Sequence, residues 1–278
     1  QFNSRRVRTA YQEKENVVRK LFEEKNLTWS PSEIFIRVFK NENMLELWAR
    51  SDTGNAFQKV TVYKVCKHLW KSGPASGTLG PKRQQGDDQI PEGFYHISGF
   101  NPFSSFYLSM RINYPNQSDQ ILGVKGNLGG DIFIHGSCAT IGCIPITDDK
   151  IKALYITAVE TRNNGQARIP VHIFPTKLDD DGMARLKKDY SDQPELIAFW
   201  ENLKPGFDYF ESHHKVPDYY VDTQGRYHLQ LEKTEKIQAM LNELGIDVGA
   251  ADGILGPRTR AGLREFQRKN NLPQTGYP

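Results

Sequence analysis

The reactive side chains of this sequence concentrate in one short segment. Residues 132–147 read Ile-Phe-Ile-His-Gly-Ser-Cys-Ala-Thr-Ile-Gly-Cys-Ile-Pro-Ile-Thr. His135 stands at the end of an apolar strand-like run and is followed by Gly136. A Gly142–Cys143 pair comes seven and eight residues after the histidine. Acyl transfer by cysteine needs a thiolate, a base for the thiol proton, and donors for the developing oxyanion. His135 suits the base, because an imidazole titrates near neutral pH. Gly142 permits unusual dihedrals and close backbone approach just before the nucleophile. Amides around Gly142 and Cys143 would then serve a carbonyl oxygen.

Other readings of the same residues stay open. A cysteine and a strand-end histidine can simply pack, since free cysteine is among the most buried residue types. His135, Cys138 and Cys143 are also three soft ligands, but H-x2-C-x4-C matches no common zinc spacing and no fourth ligand is near; the expectation is no metal and no cofactor. A Cys138–Cys143 disulfide would silence the thiol or make it redox-gated. The cysteine count is three (Cys66, Cys138, Cys143), so at least one is left unpaired.

The elements around this segment are mostly strands. Residues 9–26 have helical spacing, with Val17, Val18, Leu21 and Phe22 recurring. From Ser32 the period becomes two: Ile34, Ile36 and Val38 alternate with Phe35, Arg37 and Phe39, and a polar turn leads to Met44–Trp48. Val60–Val65, Phe94–Gly99, Phe106–Asn113, Asp131–His135 and Ile169–Phe174 read as further strands. A long Gly/Pro/Ser/Gln-rich loop spans Lys71–Pro91, a length that is often functional. Asp148–Glu160 reads as a helix with Thr147 as its N-cap and two aspartates in the first turn. Residues 181–215 look helical and then irregular, and residues 233–270 form a separate helical unit. The resulting division is an N-terminal helix at 1–31, a mainly β unit at 32–178, a connector at 179–230 and a small all-α unit at 231–278.

Bulk properties exclude little. The 278 residues carry a net charge of +3 and are 38% hydrophobic. That charge is too small and too spread for a nucleic-acid binder. No apolar run reaches membrane-spanning length, so no transmembrane segment is expected. Gln1–Arg8 lacks both an initiating Met and an apolar signal region, and reads as a mature or trimmed start.

The motif resembles the YkuD-type L,D-transpeptidase signature, in which Ile-His-Gly is followed by Gly-Cys. It is most similar to the YafK-like branch, where that interval is short and Thr-Asp follows, as in Thr147–Asp148. Gly86-Asp87, Gln89, Pro91-Glu92-Gly93-Phe94-Tyr95 and Asn113-Tyr114-Pro115-Asn116 fit in the same order, over roughly residues 32–178. The resemblance implies a mixed β-sandwich catalytic domain and no cofactor. It implies attack on the bond between the third residue of a peptidoglycan stem peptide and its terminal D-alanine, with a thioester on Cys143 and His135 as base. Gly136 takes the place whose carbonyl orients the imidazole, and Gly142 and Cys143 supply oxyanion amides. A periplasmic location and peptidoglycan stem peptides as partner follow from it. Some members hydrolyse instead, which adds a wall-attached lipoprotein as a further partner and an L,D-carboxypeptidase as the alternative activity. A non-catalytic wall-binding protein is a second alternative.

The commoner family pattern has an Arg after the Gly-Cys, and here Ile144-Pro145 follow. Lys82 and Arg83 are then candidates for the substrate carboxylates, against the blander reading of flexible surface charges. Tyr95, Tyr114 and Thr140 complete the candidate substrate-binding set; His96 is a weaker candidate for the same groove, although strand aromatics more often pack in the core. His172 reads as a satisfied strand histidine, His213-His214 as surface and Cys66 as a small buried apolar residue. At the C-terminal end, Asp252-Gly253-Ile254-Leu255-Gly256-Pro257-Arg258-Thr259-Arg260, with Leu263 and Phe266-Gln267, resembles a three-helix peptidoglycan-binding domain. Its last segment looks truncated, and Thr259 is a candidate helix cap.

Overall fold

The computed structural model describes residues 3–66 and 79–276. Helix α1 (Arg5–Glu23) is followed by strands β1 (Glu33–Phe39), β2 (Met44–Arg50), β3 (Gln58–Lys64), β4 (Gly93–Asn101) and β5 (Ser109–Ile112). Then come α2 (Gln117–Leu122), β6 (Phe133–His135), β7 (Ile144–Pro145), α3 (Thr147–Asn163) and β8 (Pro170–Phe174). Helices α4 (Asp180–Asp189) and α5 (Pro194–His213) lead into a hairpin of β9 (Tyr219–Val221) and β10 (Tyr227–Leu229). The chain ends in α6 (Leu231–Glu243) and α7 (Pro257–Lys269).

The first eight strands form one mixed sheet in the order β3-β2-β1-β8-β4-β5-β6-β7. Two of its pairings, β1–β8 and β6–β7, are parallel. The class is mainly β with α additions and a small helical C-terminal unit, as the sequence suggests.

Both faces of the sheet are covered, and β1 shows why. Successive side chains of a strand point to opposite faces. Ile34, Ile36 and Val38 join the core shared with α1 and α3, whereas Phe35 and Phe39 meet the aromatic side chains of α5 on the other face. Strand β8 repeats this, with Val171 and Ile173 on the aliphatic side and Phe174 on the aromatic side. Helix α3 is apolar nearly all round, with Ile151, Leu154, Tyr155, Ile156 and Val159 buried. Such a helix must be enclosed, and α1 and the sheet enclose it. Each of these fully buried side chains contributes roughly 1.5–3 kcal/mol. Thr157 and Thr161 donate their hydroxyls to the carbonyls four residues back, at 2.8 Å each, so no polar group is stranded there.

Several expectations need correction. Thr147 does not cap α3 through its side chain: it lies at φ +70°, and the first helical turn has no side-chain cap bond. Thr259 lies inside α7, where it accepts from Gln238 Nε2 at 3.0 Å rather than capping. The helical spacing of Ile237, Met240, Leu241 and Leu244 suggests one apolar face, but Met240 and Leu244 are exposed, and the core of that unit is Leu241, Ile246, Val248, Leu255 and Leu263. His172 packs against Phe35 and Phe94, its Nδ1 has no hydrogen-bond partner among the described residues, and burial pushes its pKa down to about 3. It is an apolar-environment imidazole, not a satisfied one. The irregular region after α5 holds the β9–β10 hairpin. The loop foreseen at Lys71–Pro91 lies partly outside the described residues; its described part is tightly bonded.

Candidate active site

The local geometry around His135 follows from the sheet register. In the parallel pair β6–β7, Ile134 opposes Ile144 and His135 opposes Pro145. One step back, Cys143 lies beside Phe133. Extending the side-chain period of two by one residue before β7 puts Cys143 on the face of His135. The chain between them, residues 136–142, bulges out as a loop.

Both glycines of the motif are required by their surroundings. A Cβ at Gly136 would stand 2.6 Å from Asp148 Oδ1 and 2.9 Å from the Phe106 carbonyl oxygen. Gly142 sits at φ +118°, and a Cβ there would meet the Gln89 carbonyl oxygen at 2.9 Å. Asp148, in the first turn of α3, accepts the Ser137 N–H at 2.7 Å and so ties the loop to the helix.

His135 is held in one tautomer. Its Nδ1–H donates to the carbonyl oxygen of Gly136. A carbonyl only accepts, so Nδ1 carries the proton and Nε2 keeps the basic lone pair. Phe106 stacks on the ring at 4.6 Å with an interplanar angle of 30°. The imidazole is buried, and burial lowers its pKa while the Gly136 carbonyl works in the opposite direction.

The thiol–imidazole hydrogen bond is not made in this state. Cys143 Sγ donates instead to the Asp131 carbonyl oxygen at 3.6 Å, and His135 Nε2 has no partner among the described residues. Asp131 lies in the left-handed region at φ +56°. Burial pushes the Cys143 thiol above its usual pKa, while the Phe133 backbone, the Thr140 hydroxyl and the Lys82 charge pull it down. Burial thus works against charge on both groups, the thiol and the imidazole.

Cys66 and Cys138 form a disulfide, and Cys143 is the free thiol. Cys66 is thus a bridge residue rather than a packed apolar one, and a Cys138–Cys143 bridge does not exist. The three-ligand zinc alternative fails too, because Cys138 has no thiolate to give. The Cys66 N–H also donates to the Pro145 carbonyl at 2.9 Å. The end of β3 is thereby fastened on both sides of the nucleophile. A small pocket lined by Val65, Cys66, Asp88, Ile90, Thr140 and Gly142 opens at Cys143.

Of the substrate-facing candidates, Thr140 lies at the thiol, its Oγ1 accepting the Cys143 N–H at 2.6 Å. That bond occupies one of the two amides foreseen for the oxyanion. Lys82 is buried, and its Nζ donates to Asp87 Oδ1 and the Gln84 carbonyl, both at 2.8 Å. It is a fixed turn-forming cation and not a flexible surface charge. Arg83 lies over the Phe199 ring at 4.7 Å. Tyr95 and Tyr114 do not line the groove: both are buried, with Tyr95 donating to Asp119 at 3.0 Å and Tyr114 to the Leu128 carbonyl at 3.1 Å. His96 is half-buried on β4, and His213 and His214 are exposed.

Sequence reasoning missed Phe106, Asp131 and one larger network. Lys40 Nζ is wholly buried and donates to the carbonyls of Gly80 (2.6 Å) and Ile90 (3.0 Å) and to Glu92 Oε1 (2.8 Å). Glu92 in turn accepts the Trp200 Nε1–H of α5 at 2.7 Å. This network holds the 79–92 segment that walls the thiol pocket. Its one local signal was a lysine directly after the mostly apolar strand β1.

Comparison with known proteins agrees with the motifs. A profile of the L,D-transpeptidase catalytic domain (YkuD) matches residues 55–173. One described as "Putative peptidoglycan binding domain" matches residues 230–278. "Putative L,D-transpeptidase YafK" of Escherichia coli (strain K12) is 37% identical over 198 residues, covering 70% of this chain and 73% of that protein. A 48-residue stretch is 48% identical to "Putative OxPP cycle protein OpcA" of Nostoc punctiforme, covering 17% of this chain and 10% of that one. Among solved structures, the helical cell shape determining protein Pgp2 of Campylobacter jejuni aligns with a TM-score of 0.40 at 16% identity, over 69% of this chain and 73% of that one. Bd1075 of Bdellovibrio bacteriovorus aligns with a TM-score of 0.37 at 23% identity, over 65% and 61%.

Proposed function

The chain belongs to the L,D-transpeptidase family, and on that premise we propose that it performs cysteine acyl transfer on peptidoglycan stem peptides, with Cys143 as nucleophile and His135 as base. The observation that carries this reading is the tautomer of His135. Its Nδ1–H is committed to the Gly136 carbonyl, which leaves Nε2 basic on the face that carries the one free thiol among the described residues.

Substrate entry brings the scissile carbonyl to Sγ. Nε2 takes the thiol proton as the C–S bond forms, so charge develops on the carbonyl oxygen and not on a free thiolate. This order suits two groups whose burial works against charge. The imidazolium then returns its proton to the leaving amine of the terminal D-alanine, the C–N bond breaks, and a thioester remains on Cys143. An acceptor amine, deprotonated by the same imidazole, resolves the thioester and closes the cycle. The Gly142 amide and the Cys143 amide, once released by Thr140, supply the oxyanion donors.

A second reading has water as the acceptor, giving a carboxypeptidase or the release of a wall-attached lipoprotein. One observation bears on it: the residues after Cys143 are Ile144 and Pro145, buried in β7, where the commoner family pattern has an arginine. The C-terminal helical unit would hold the enzyme on the wall. The Cys66–Cys138 bridge suits an oxidising compartment such as the periplasm.

Digestion of purified sacculi by the protein, with products identified by mass, tests the reading. Cross-linked or amine-exchanged muropeptides support transfer, and peptides shortened by a D-alanine support hydrolysis. Unchanged sacculi and unchanged soluble muropeptides would refute both.

A further inference from the structure

Beside the thiol pocket lies a larger, open groove between the 79–89 segment and the turn joining α4 to α5. The two share a wall. Asp88 and Ile90 face the thiol pocket, whereas Gly86, Asp87 and Gln89 face the groove. The Gln89 carbonyl oxygen also rests against Gly142, immediately before the nucleophile.

Arg83 is the cation among the described residues that line this groove, and its charge reaches the buried Asp119 carboxylate behind it. On its own loop, Asp87 is already taken by Lys82 and by the backbone amides of Arg83, Gln84 and Gln89. The Arg83 guanidinium is fixed over the Phe199 ring, and its Nη1 is buried with no hydrogen-bond partner among the described residues. A desolvated donor without an acceptor is unfavourable, and a planar guanidinium is shaped for a carboxylate. Leu79, Leu196 and Phe199 give the groove an apolar floor. Asp192 and Glu195 line its helix side.

We propose that this groove is the carboxylate subsite of the substrate, in which Arg83 pairs with a stem-peptide carboxylate while the adjoining pocket presents the scissile carbonyl to Cys143. The assignment rests on the acyl-transfer reading above. It gives the chain a substrate cation in place of the arginine that the commoner family pattern carries after its cysteine.

The test compares a soluble disaccharide-tetrapeptide with two derivatives, one amidated at the terminal alanine and one at the side-chain carboxylate of the third residue. Wild-type protein should show a KM about ten- to hundredfold higher for one of the two amides, as expected for losing a charged hydrogen-bonded partner. Arg83→Gln should show that same rise with the free acid, little change in kcat, and no further response to amidation. Arg83→Lys, which keeps the charge but loses the fork, should fall between. Because the wild-type comparison needs no variant, it stands even if Arg83→Gln fails to fold. If wild type turns over the acid and both amides alike, the subsite is wrong while acyl transfer stands. If wild type turns over none of them and acquires no adduct, acyl transfer itself fails and the subsite with it.

Discussion

The backbone N–H of Cys143 donates to Oγ1 of Thr140, three residues earlier, at 2.6 Å. The hydroxyl thereby holds a donor that a cysteine acyl enzyme would present to an oxyanion, and it also lies close enough to the sulfur to favour the thiolate. Thr140 is thus placed to trade the amide for the substrate. Thr140→Val should raise the thiol pKa further and slow alkylation of Cys143 at neutral pH by about three- to thirtyfold, the range of one hydrogen bond to a charged group. Thr140→Ser should behave like the parent. Equal alkylation rates in all three proteins would remove Thr140 from this role.

The pH dependence follows from burial. The Cys143 thiol is raised, so its alkylation by iodoacetamide should have a midpoint above the ordinary thiol value of about 8.5, with no reactive plateau at lower pH. His135 is lowered, so its neutral, basic form persists to more acid solution. The acid limb of kcat/KM should therefore lie below about 6.5. A low-pH alkylation plateau abolished by His135→Ala would show a resting thiolate–imidazolium pair and contradict this arrangement.

The disulfide spans 72 residues and anchors the loop between His135 and Cys143 to the end of β3. On a chain-entropy basis such a bridge stabilises the fold by about 4 kcal/mol. Reductant, or Cys66→Ser with Cys138→Ser, should lower the thermal midpoint and reduce turnover more than substrate binding. Scanning calorimetry with and without reductant measures the first effect, and an unshifted midpoint would count against it.

Lys40 and Glu92 are both buried, and burial lowers the pKa of Lys40 against the pull of Glu92. Removing one partner strands the other, so Lys40→Met or Glu92→Leu should cost about 3–5 kcal/mol in chemical denaturation. The double variant should cost less than the sum of the two. An additive double variant would mean that the pair is not coupled.

How far the sequence was readable depended on distance along the chain. The His-Gly and Gly-Cys pairs lie within nine residues, and the glycines announce their backbone needs through their type, so the candidate site was legible. The alternation of Ile34, Ile36 and Val38 with Phe35 and Phe39 likewise described a strand buried on both faces. The Cys66–Cys138 bridge, the Phe106 ring over His135 and the Lys40–Glu92–Trp200 chain join residues that no local period connects. Tyr95 and Tyr114 show the limit of residue type: an aromatic beside a motif is compatible with a groove or a core, and packing against Asp119 and Leu128 decides for the core. Helix α2 had a readable signal in the reciprocal Asn116–Asp119 cap, as did the β9–β10 hairpin in the turn residues Asp222 to Gly225.

The central claim is that Cys143 becomes acylated. Intact-protein mass spectrometry after brief mixing with a tetrapeptide muropeptide reads this directly. Wild-type protein should gain the mass of the muropeptide less its terminal alanine, at a bond labile to hydroxylamine and mapped to Cys143, and Cys143→Ala should gain nothing. Product formation by Cys143→Ala, or an adduct mapped to any other residue, would contradict it.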